Sequence, residues 1–337
     1  MKTNPPLSFG NFVAASLLAG VCLFFTSGCA GNSPARSKAP KRVLVVTTTT
    51  GFRHSSIPTA EKVLGELAHQ SGAFTVDYAR VEPNDPQFKG ADGKPDKAKV
   101  EAAITAVLAE KLSAAALKQL DGVVFANTTG DLPLPDRQAF LDWIKAGHAF
   151  AGMHSASDTF HGFPPFIEML GGEFLTHGAQ VEVDAINQDN QCPACRHLPG
   201  SWKVFDEIYQ FKNFDRAKVH GLLTLDKHPN EKTPGDYPVS WCKYYGVNRR
   251  VIPPHGAELL LHKTWSRVAG RVIYTSLGHR EDVWSPGAKD PNGDVKNPPE
   301  VAKVFQQHLL GAIQWALALE PGDATPQTAP KPTTTLH

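Results

Sequence analysis

Four short apolar segments in the first half of the chain alternate with amphipathic ones. The apolar segments have the length of β-strands and are residues 42–48, 74–80, 121–126 and 149–154. The first and third are apolar on both faces, as expected of buried parallel strands. Helical patterns lie between them: one begins at Pro58, one covers 97–120 in two pieces, and one covers 135–145. This alternation predicts an α/β fold with a doubly wound, mostly parallel sheet and helices on both faces.

The pattern changes after Gly171-Gly172. The second half carries short strand-like segments separated by turn-rich loops, at residues 180–187, 209–214, 219–226, 239–245, 257–263 and 271–277. Such spacing is typical of antiparallel strands added to the edge of a sheet. An amphipathic stretch at 299–319 predicts a closing helix.

Both ends of the chain differ from the part between them. Residues 1–29 have the short apolar run of a signal peptide, and the small residues before Cys29 are similar to a bacterial lipoprotein box. We therefore predict export to the bacterial cell envelope with a lipid anchor at Cys29; plain secretion and a retained N-terminal anchor are the alternatives. Residues 30–41 form a polar linker, the domain covers 42–319, and the Pro- and Thr-rich segment 320–337 is predicted to be disordered.

Charge and motifs exclude several classes of function. The net charge is +1, from 34 basic and 33 acidic residues, without a basic stripe, which argues against nucleic acid as a partner. The chain has no phosphate-binding loop and no Gly-x-Gly-x-x-Gly after a strand, so we expect no nucleotide cofactor. It also lacks His-Glu-x-x-His and Gly-x-Ser-x-Gly.

The pair Cys192-Pro-Ala-Cys195 admits several interpretations. A second such pair is absent, which excludes a zinc site with four thiolates from paired motifs. Export favours a local disulfide between Cys192 and Cys195. Free thiols and metal or redox chemistry are the alternatives.

Histidines follow three of the predicted strands. His54 comes after the first, His154 at the turn after the fourth, and His279 after the last. Ligands of open α/β sheets bind at the carboxyl ends of the strands, and three imidazoles with an open position suit a divalent metal such as zinc. His177 is a fourth candidate ligand. A lone histidine is more often a hydrogen-bonding loop residue, and this interpretation remains open for each of them.

Two carboxylates are candidates for catalysis beside His154. Glu207 offers a general acid or base or a metal ligand. Asp158 lies four residues after His154 and would face the same side of a helix, where it could orient the imidazole. Complementing a helix dipole is the equal alternative for Asp158.

A carbohydrate is the expected small-molecule ligand. Aromatic residues concentrate late in the chain and suit sugar rings, although core packing explains them equally well. The predicted substrate contacts are Arg53, Asn127, Tyr209, Trp241 and Trp284.

Seven ordered segments resemble the ThuA-like (trehalose utilisation) family. They are Gly51-Phe52-Arg53-His54, Gly152-Met153-His154-Ser155-Ala156, Leu170-Gly171-Gly172-Glu173-Phe174 with His177-Gly178, Asp206-Glu207-Ile208-Tyr209, Pro238-Val239-Ser240-Trp241, Gly270-Arg271-Val272 with Leu277-Gly278-His279, and the segment 308–315. The resemblance implies a flavodoxin-like three-layer α/β/α sandwich, similar to class I glutamine amidotransferases. Those enzymes carry a catalytic cysteine where this chain has His154, so glutaminase activity is not implied.

The resemblance also implies a role in the use of trehalose or related keto-disaccharides. The chain departs from the family pattern at 190–197 and at 247–268, the latter resembling an insertion. We hypothesise an exported metal- or histidine-dependent isomerase, lyase or hydrolase acting on sugars. The alternatives are a non-catalytic carbohydrate-binding lipoprotein and a partner-binding domain with a vestigial pocket. The sequence predicts no oligomeric state.

Overall fold

The computed structural model describes residues 39–246 and 269–330. Its strands are β1 (Lys41–Val46), β2 (Phe74–Ala79), β3 (Gly122–Ala126), β4 (Ala149–Met153), β5 (Glu173–His177), β6 (Val181–Asn187), β7 (Ser201–Asp206), β8 (Tyr209–Lys212), β9 (His220–Lys227), β10 (Pro234–Tyr245) and β11 (Gly270–Thr275). Its helices are α1 (Ile57–Ser71), α2 (Lys97–Lys111), α3 (Ala114–Leu117), α4 (Arg137–Lys145), α5 (Pro164–Leu170), α6 (Glu281–Trp284) and α7 (Pro299–Ala316).

Nine of these strands form one mixed sheet in the order β2-β1-β3-β4-β11-β10-β9-β6-β7. Neighbours from β2 to β11 are parallel, and neighbours from β11 to β7 are antiparallel. The predicted doubly wound sheet with antiparallel additions is therefore confirmed. β5 and β8 pair separately as a two-stranded ribbon.

Both faces of the sheet are covered, and β1 shows why. Val43 and Val45 join the buried cluster that includes α1 and α7, whereas Leu44 and Val46 join the cluster of α2 to α5. Successive side chains of a strand point to opposite faces, so an all-apolar strand needs a helical layer on each side. The result is the predicted three-layer α/β/α sandwich.

Several elements lie outside the predictions. The sequence pattern did not indicate α5, β5 or β7. The segment 299–319 forms a helix that ends at Ala316. The predicted strand at 257–263, the insertion at 247–268, and the signal peptide and most of the linker at 1–38 fall outside the described residues, so export and an anchor at Cys29 stay predictions. Among the described residues no helix is long and apolar enough to cross a membrane.

The loops after β1 and β3 pack closely at the carboxyl edge of the sheet. Thr50 N donates to Thr129 O over 3.0 Å, and a Cβ at Gly130 would lie 2.5 Å from Thr50 Oγ1. Gly130 also has a φ of 77°, which favours glycine. This contact holds the first two loops of the edge together.

The cysteine-containing loop packs under α7. Cys192, Cys195 and Cys242 are buried free thiols, so the predicted disulfide is absent. Burial raises the pKa of the Cys192 thiol to about 12, which keeps it protonated and unreactive. The loop instead has a packing role: Ala194 O bonds His308 Nδ1 of α7 at 2.8 Å.

The segment after α7 crosses the start of β9. Gln327 N donates to Val219 O over 2.9 Å, His220 Nδ1 lies 2.8 Å from Thr325 O, and Ala324 is buried. The prediction of disorder from Glu320 is therefore wrong up to Gln327, because backbone hydrogen bonds replace the missing apolar pattern. Residues 331–337 lie outside the described residues.

We predict that Gly311→Ala destabilises the fold. A Cβ at Gly311 would lie 2.1 Å from the Pro193 carbonyl oxygen, and such overpacking typically costs about 1–3 kcal/mol. Gly200→Ala is the matched control, since nothing lies within 4 Å of its Cβ position. Urea denaturation should show a lower free energy of unfolding for Gly311→Ala alone; equal values would contradict this packing.

Candidate metal centre

Four side chains converge at the carboxyl edge of the sheet. His54 follows β1, His154 directly follows β4, His279 follows β11, and Glu207 follows β7. One ligand atom from each lies within 4.8 Å of the others. The structure thus brings together the three histidines and the carboxylate of Glu207 that were predicted from the sequence.

The backbone at His154 is strained and well supported. The residue has a φ of 48°, in a region that residues other than glycine seldom adopt. It opens the 3-10 turn His154–Asp158, and Tyr274 donates its hydroxyl to His154 O over 2.6 Å. The tight turn predicted at the end of the fourth strand is thereby explained.

Hydrogen bonding determines which nitrogen of His154 is free to bind a ligand. Nδ1 lies 2.8 Å from Ser276 O, an acceptor, so Nδ1 carries the proton and Nε2 offers its lone pair. Nε2 lies 3.2 Å from His54 Nε2 and 3.1 Å from the Tyr209 hydroxyl. A carbonyl that fixes the tautomer is the usual outer partner of a metal-binding histidine.

His54 and His154 are held neutral. Burial, with smaller contributions from His279 and His177, lowers the pKa of His54 from 6.5 to about 3. Burial and then His54 and His279 lower the pKa of His154 well below 6.5. Neutral imidazoles are the form that coordinates a cation.

His279 and Glu207 form the more accessible side of the cluster. Burial lowers the pKa of His279, but the Glu207 carboxylate outweighs it and the net pKa is raised. His279 Nδ1 lies 3.2 Å from Glu207 Oε1, yet it has no hydrogen-bond partner among the described residues.

The spacing of the four groups suits a metal. Bonds of about 2.1 Å at the tetrahedral angle place two ligands roughly 3.4 Å apart. The observed separations are 3.2 Å between the Nε2 atoms of His54 and His154, and 3.8 Å between His154 Nε2 and Glu207 Oε1. Three imidazoles and a carboxylate are also donors that zinc accepts.

Asp206 positions the loop that carries His279. Its buried carboxylate accepts hydrogen bonds from Gly278 N over 2.7 Å and Arg280 N over 3.1 Å. Burial raises the pKa of Asp206 to about 6. Sequence reasoning missed this role, and the only signal was the place of Asp206 beside Glu207.

Asn127 and Trp284 support the same loop rather than a substrate. Asn127 Nδ2 donates to Gly278 O over 3.0 Å, and Trp284 Nε1 donates to the same oxygen over 2.7 Å. Both side chains are fully buried. Their prediction as substrate contacts is corrected: they hold Gly278 in place.

The predicted roles of Trp241 and Asp158 need correction, and Arg53 lies in a different cleft. Trp241 is fully buried and donates to Leu170 O over 2.8 Å, so it is a core residue. Asp158 contacts His161 Nε2, whereas Ser276 O orients His154. Arg53 bonds Thr47 O and Glu82 and lines a cleft of about 610 Å³ that none of the cluster histidines lines.

Tyr209 and His177 lie against the cluster, at paired positions of the β5–β8 ribbon. The Tyr209 hydroxyl lies 3.1 Å from His154 Nε2, and Tyr209 is buried. His177 Nδ1 lies 3.1 Å from Glu207 Oε2, and 43% of its side chain is exposed. His177 is not among the four converging groups; it contacts Glu207 from the solvent side.

Comparison with known proteins identifies the family of the chain. The family model described as ThuA, trehalose utilisation, matches residues 42–289. The chain belongs to the ThuA family. No curated protein matches its sequence significantly.

Two solved ThuA-like proteins share the fold. The one from Parabacteroides merdae has a TM-score of 0.54 and 17% identity over 83% of this chain and 91% of its own. The one from Bacteroides uniformis has a TM-score of 0.52 and 17% identity over 85% of this chain and 95% of its own. A glutamine amidotransferase from Thermotoga maritima also aligns, at a TM-score of 0.39 and 11% identity, over 82% of this chain and 98% of its own.

We predict that the metal-free protein loses stability in mild acid. The pKa values of His54 and His154 are lower in the folded chain, so unfolding takes up protons below pH 6.5. Their stabilisation is present above that pH and is lost as the pH falls. For His54, with a folded pKa of about 3, the loss between pH 7 and pH 5 is about 2 kcal/mol. The raised pKa of His279 has the opposite effect on stability. The stabilisation from protonated His279 is lost as the pH rises through its pKa in the folded chain.

Urea denaturation with a chelator, at pH 5 and pH 7, measures this effect. The His54→Asn variant should show a smaller pH dependence than the parent. His148→Asn is the control, because His148 lies at the amino-terminal edge of the sheet and bonds Trp143 O. An unchanged pH dependence in His54→Asn would contradict the burial of a neutral His54.

Proposed function

We propose that this ThuA-family protein is a metal-dependent enzyme acting on trehalose or a related keto-disaccharide. The observation that carries the proposal is the convergence of His54, His154, His279 and Glu207 within 4.8 Å. The family description, trehalose utilisation, supplies the class of substrate. Divalent cations that accept nitrogen donors, such as zinc, fit this set of ligands.

The three imidazoles would hold the metal, and Glu207 lies beside them. A metal there would polarise a carbonyl or hydroxyl oxygen of the sugar. Glu207 would accept the proton that the sugar loses next to its carbonyl. Its carboxylate contacts His279 on one side and the half-exposed His177 on the other. The chain thereby provides a path from the buried carboxylate toward solvent.

Tyr209 orients the substrate in this scheme. Its hydroxyl points at His154 Nε2, so a metal on that nitrogen would leave the hydroxyl free to donate to a sugar oxygen. Burial raises the pKa of Tyr209 well above 10, which keeps the hydroxyl protonated. A protonated donor at a fixed place suits a reaction that develops charge on oxygen. Isomerisation or elimination next to a carbonyl has this character, and in this scheme it applies to the keto-disaccharide, since trehalose itself has no carbonyl.

We expect purified protein to contain about one equivalent of a divalent metal, measured by inductively coupled plasma mass spectrometry. His154→Ala should weaken metal binding by more than about tenfold, because it removes the most buried donor. His148→Ala, at the opposite edge of the sheet, should retain the metal. Metal-free parent protein whose unfolding is unaffected by added zinc would overturn the proposal.

Glu207→Gln separates the two roles of the carboxylate. As the proton acceptor, Glu207 can lose its charge without loss of the metal, so this variant should bind metal normally and lose turnover by about 10²-fold or more. Turnover is measured on trehalose and on its keto derivative by chromatography of the products. Loss of the metal from Glu207→Gln would make Glu207 a ligand instead. Tight sugar binding by the parent without any product would favour the non-catalytic binding protein.

A further inference from the structure

Phe52 is an exposed aromatic side chain beside the candidate metal centre. It exposes 67% of its surface, more than any other large hydrophobic residue that the structure shows as exposed. The others, such as Leu175 and Leu319, are aliphatic. A single exposed apolar residue needs no explanation by itself, but this ring packs against His54 of the cluster, where a ligand of the site could meet it.

The loop that carries Phe52 is held in place. Thr129 Oγ1 donates to Phe52 O over 2.7 Å, and a Cβ at Gly51 would lie only 3.0 Å from the same Thr129 oxygen. Together with the bond from Thr50 N to Thr129 O, these contacts fix the backbone on both sides of the ring. A ring on such a backbone can bind a ligand without a large cost in ordering the loop.

The Phe52 ring packs directly against one of the candidate metal ligands. It meets His54 edge to face, with centroids 4.8 Å apart and an angle of 83° between planes. His54 in turn lies 5.2 Å from His279, whose side chain is 22% exposed. Phe52 and His279 therefore both pack on the same histidine of the cluster, and both keep exposed surface.

We infer that Phe52 is the stacking platform of a sugar subsite adjoining the cluster. This inference rests on the proposed function. A pyranose ring has an apolar C–H surface and hydroxyls around its rim, and an aromatic ring amid polar groups matches both. Thr50, two residues before the ring, is exposed, and His279 is partly exposed; such polar surroundings suit a sugar better than a lipid chain or a wholly apolar partner.

The experiment compares four variants. Phe52→Ala removes the ring, Phe52→Leu keeps an apolar side chain without an aromatic face, and Phe52→Trp keeps a face. Leu319→Ala is the matched control: Leu319 is an exposed apolar residue just after Ala318, which lines the cleft at the amino-terminal edge of the sheet. Affinity for trehalose, its keto derivative, maltose, sucrose and cellobiose is measured by calorimetry on zinc-loaded protein, with zinc content determined for each variant.

We expect Phe52→Ala and Phe52→Leu to weaken sugar binding about tenfold while zinc content stays unchanged. Phe52→Trp and Leu319→Ala should bind within about twofold of the parent. Proton spectra of the bound sugar should show upfield shifts of C–H protons from the aromatic ring current, and Phe52→Leu should abolish them.

Two failures are distinguishable. If the parent binds zinc and a sugar but Phe52→Ala and Phe52→Leu bind that sugar equally well, the inference about Phe52 is wrong and the proposed function stands. If the parent binds zinc but none of the disaccharides, the sugar part of the proposed function is wrong, and the Phe52 platform falls with it.

Discussion

The neutral imidazoles of His54 and His154, with their Nε2 atoms 3.2 Å apart, are the contact on which this site depends. Burial makes a charge on either ring costly, and two lone pairs facing each other repel. His154 Nε2 has two possible donors, His54 Nε2 at 3.2 Å and the Tyr209 hydroxyl at 3.1 Å, so protons satisfy it as a cation would. Because Ser276 O fixes the proton of His154 on Nδ1, Nε2 is the acceptor that a metal held by His54, His154 and His279 would use.

Much of the surrounding structure keeps this contact in place. The positive φ at His154 directs its ring toward His54, and Tyr274 holds the backbone there. Asp206, Asn127 and Trp284 hold the Gly278 turn, which carries His279. Hydrogen-bonding residues behind a set of ligands fix the orientation of the ligating side chains. Three elements distant in sequence thus meet at one edge of the sheet, as ligand sites in open α/β folds do.

Sequence alone predicted the sheet and the three histidines for the same reason: strand periodicity reveals where strands end, and ligands collect at those ends. Sequence alone did not predict roles that depend on the direction in which a side chain points. Trp241 and Trp284 belong to the late group of aromatic residues that suited a sugar site. Only three-dimensional packing shows that their indole N–H groups point at carbonyls inside the core. Asp158 had suitable helical spacing, yet the 3-10 turn directs it to His161. The contact of Phe52 with His54 likewise needs the loop geometry.

The central claim is that His54, His154 and His279 bind one divalent metal. X-ray absorption at the edge of the metal found in the purified protein tests it most directly. The account predicts about three nitrogen neighbours at roughly 2.1 Å, with the outer-shell carbon scattering of imidazole rings. Sulfur neighbours at about 2.3 Å would instead place the metal at the buried cysteines, and a shell of oxygen alone would mean that the histidines do not bind it. Either result would contradict the assignment.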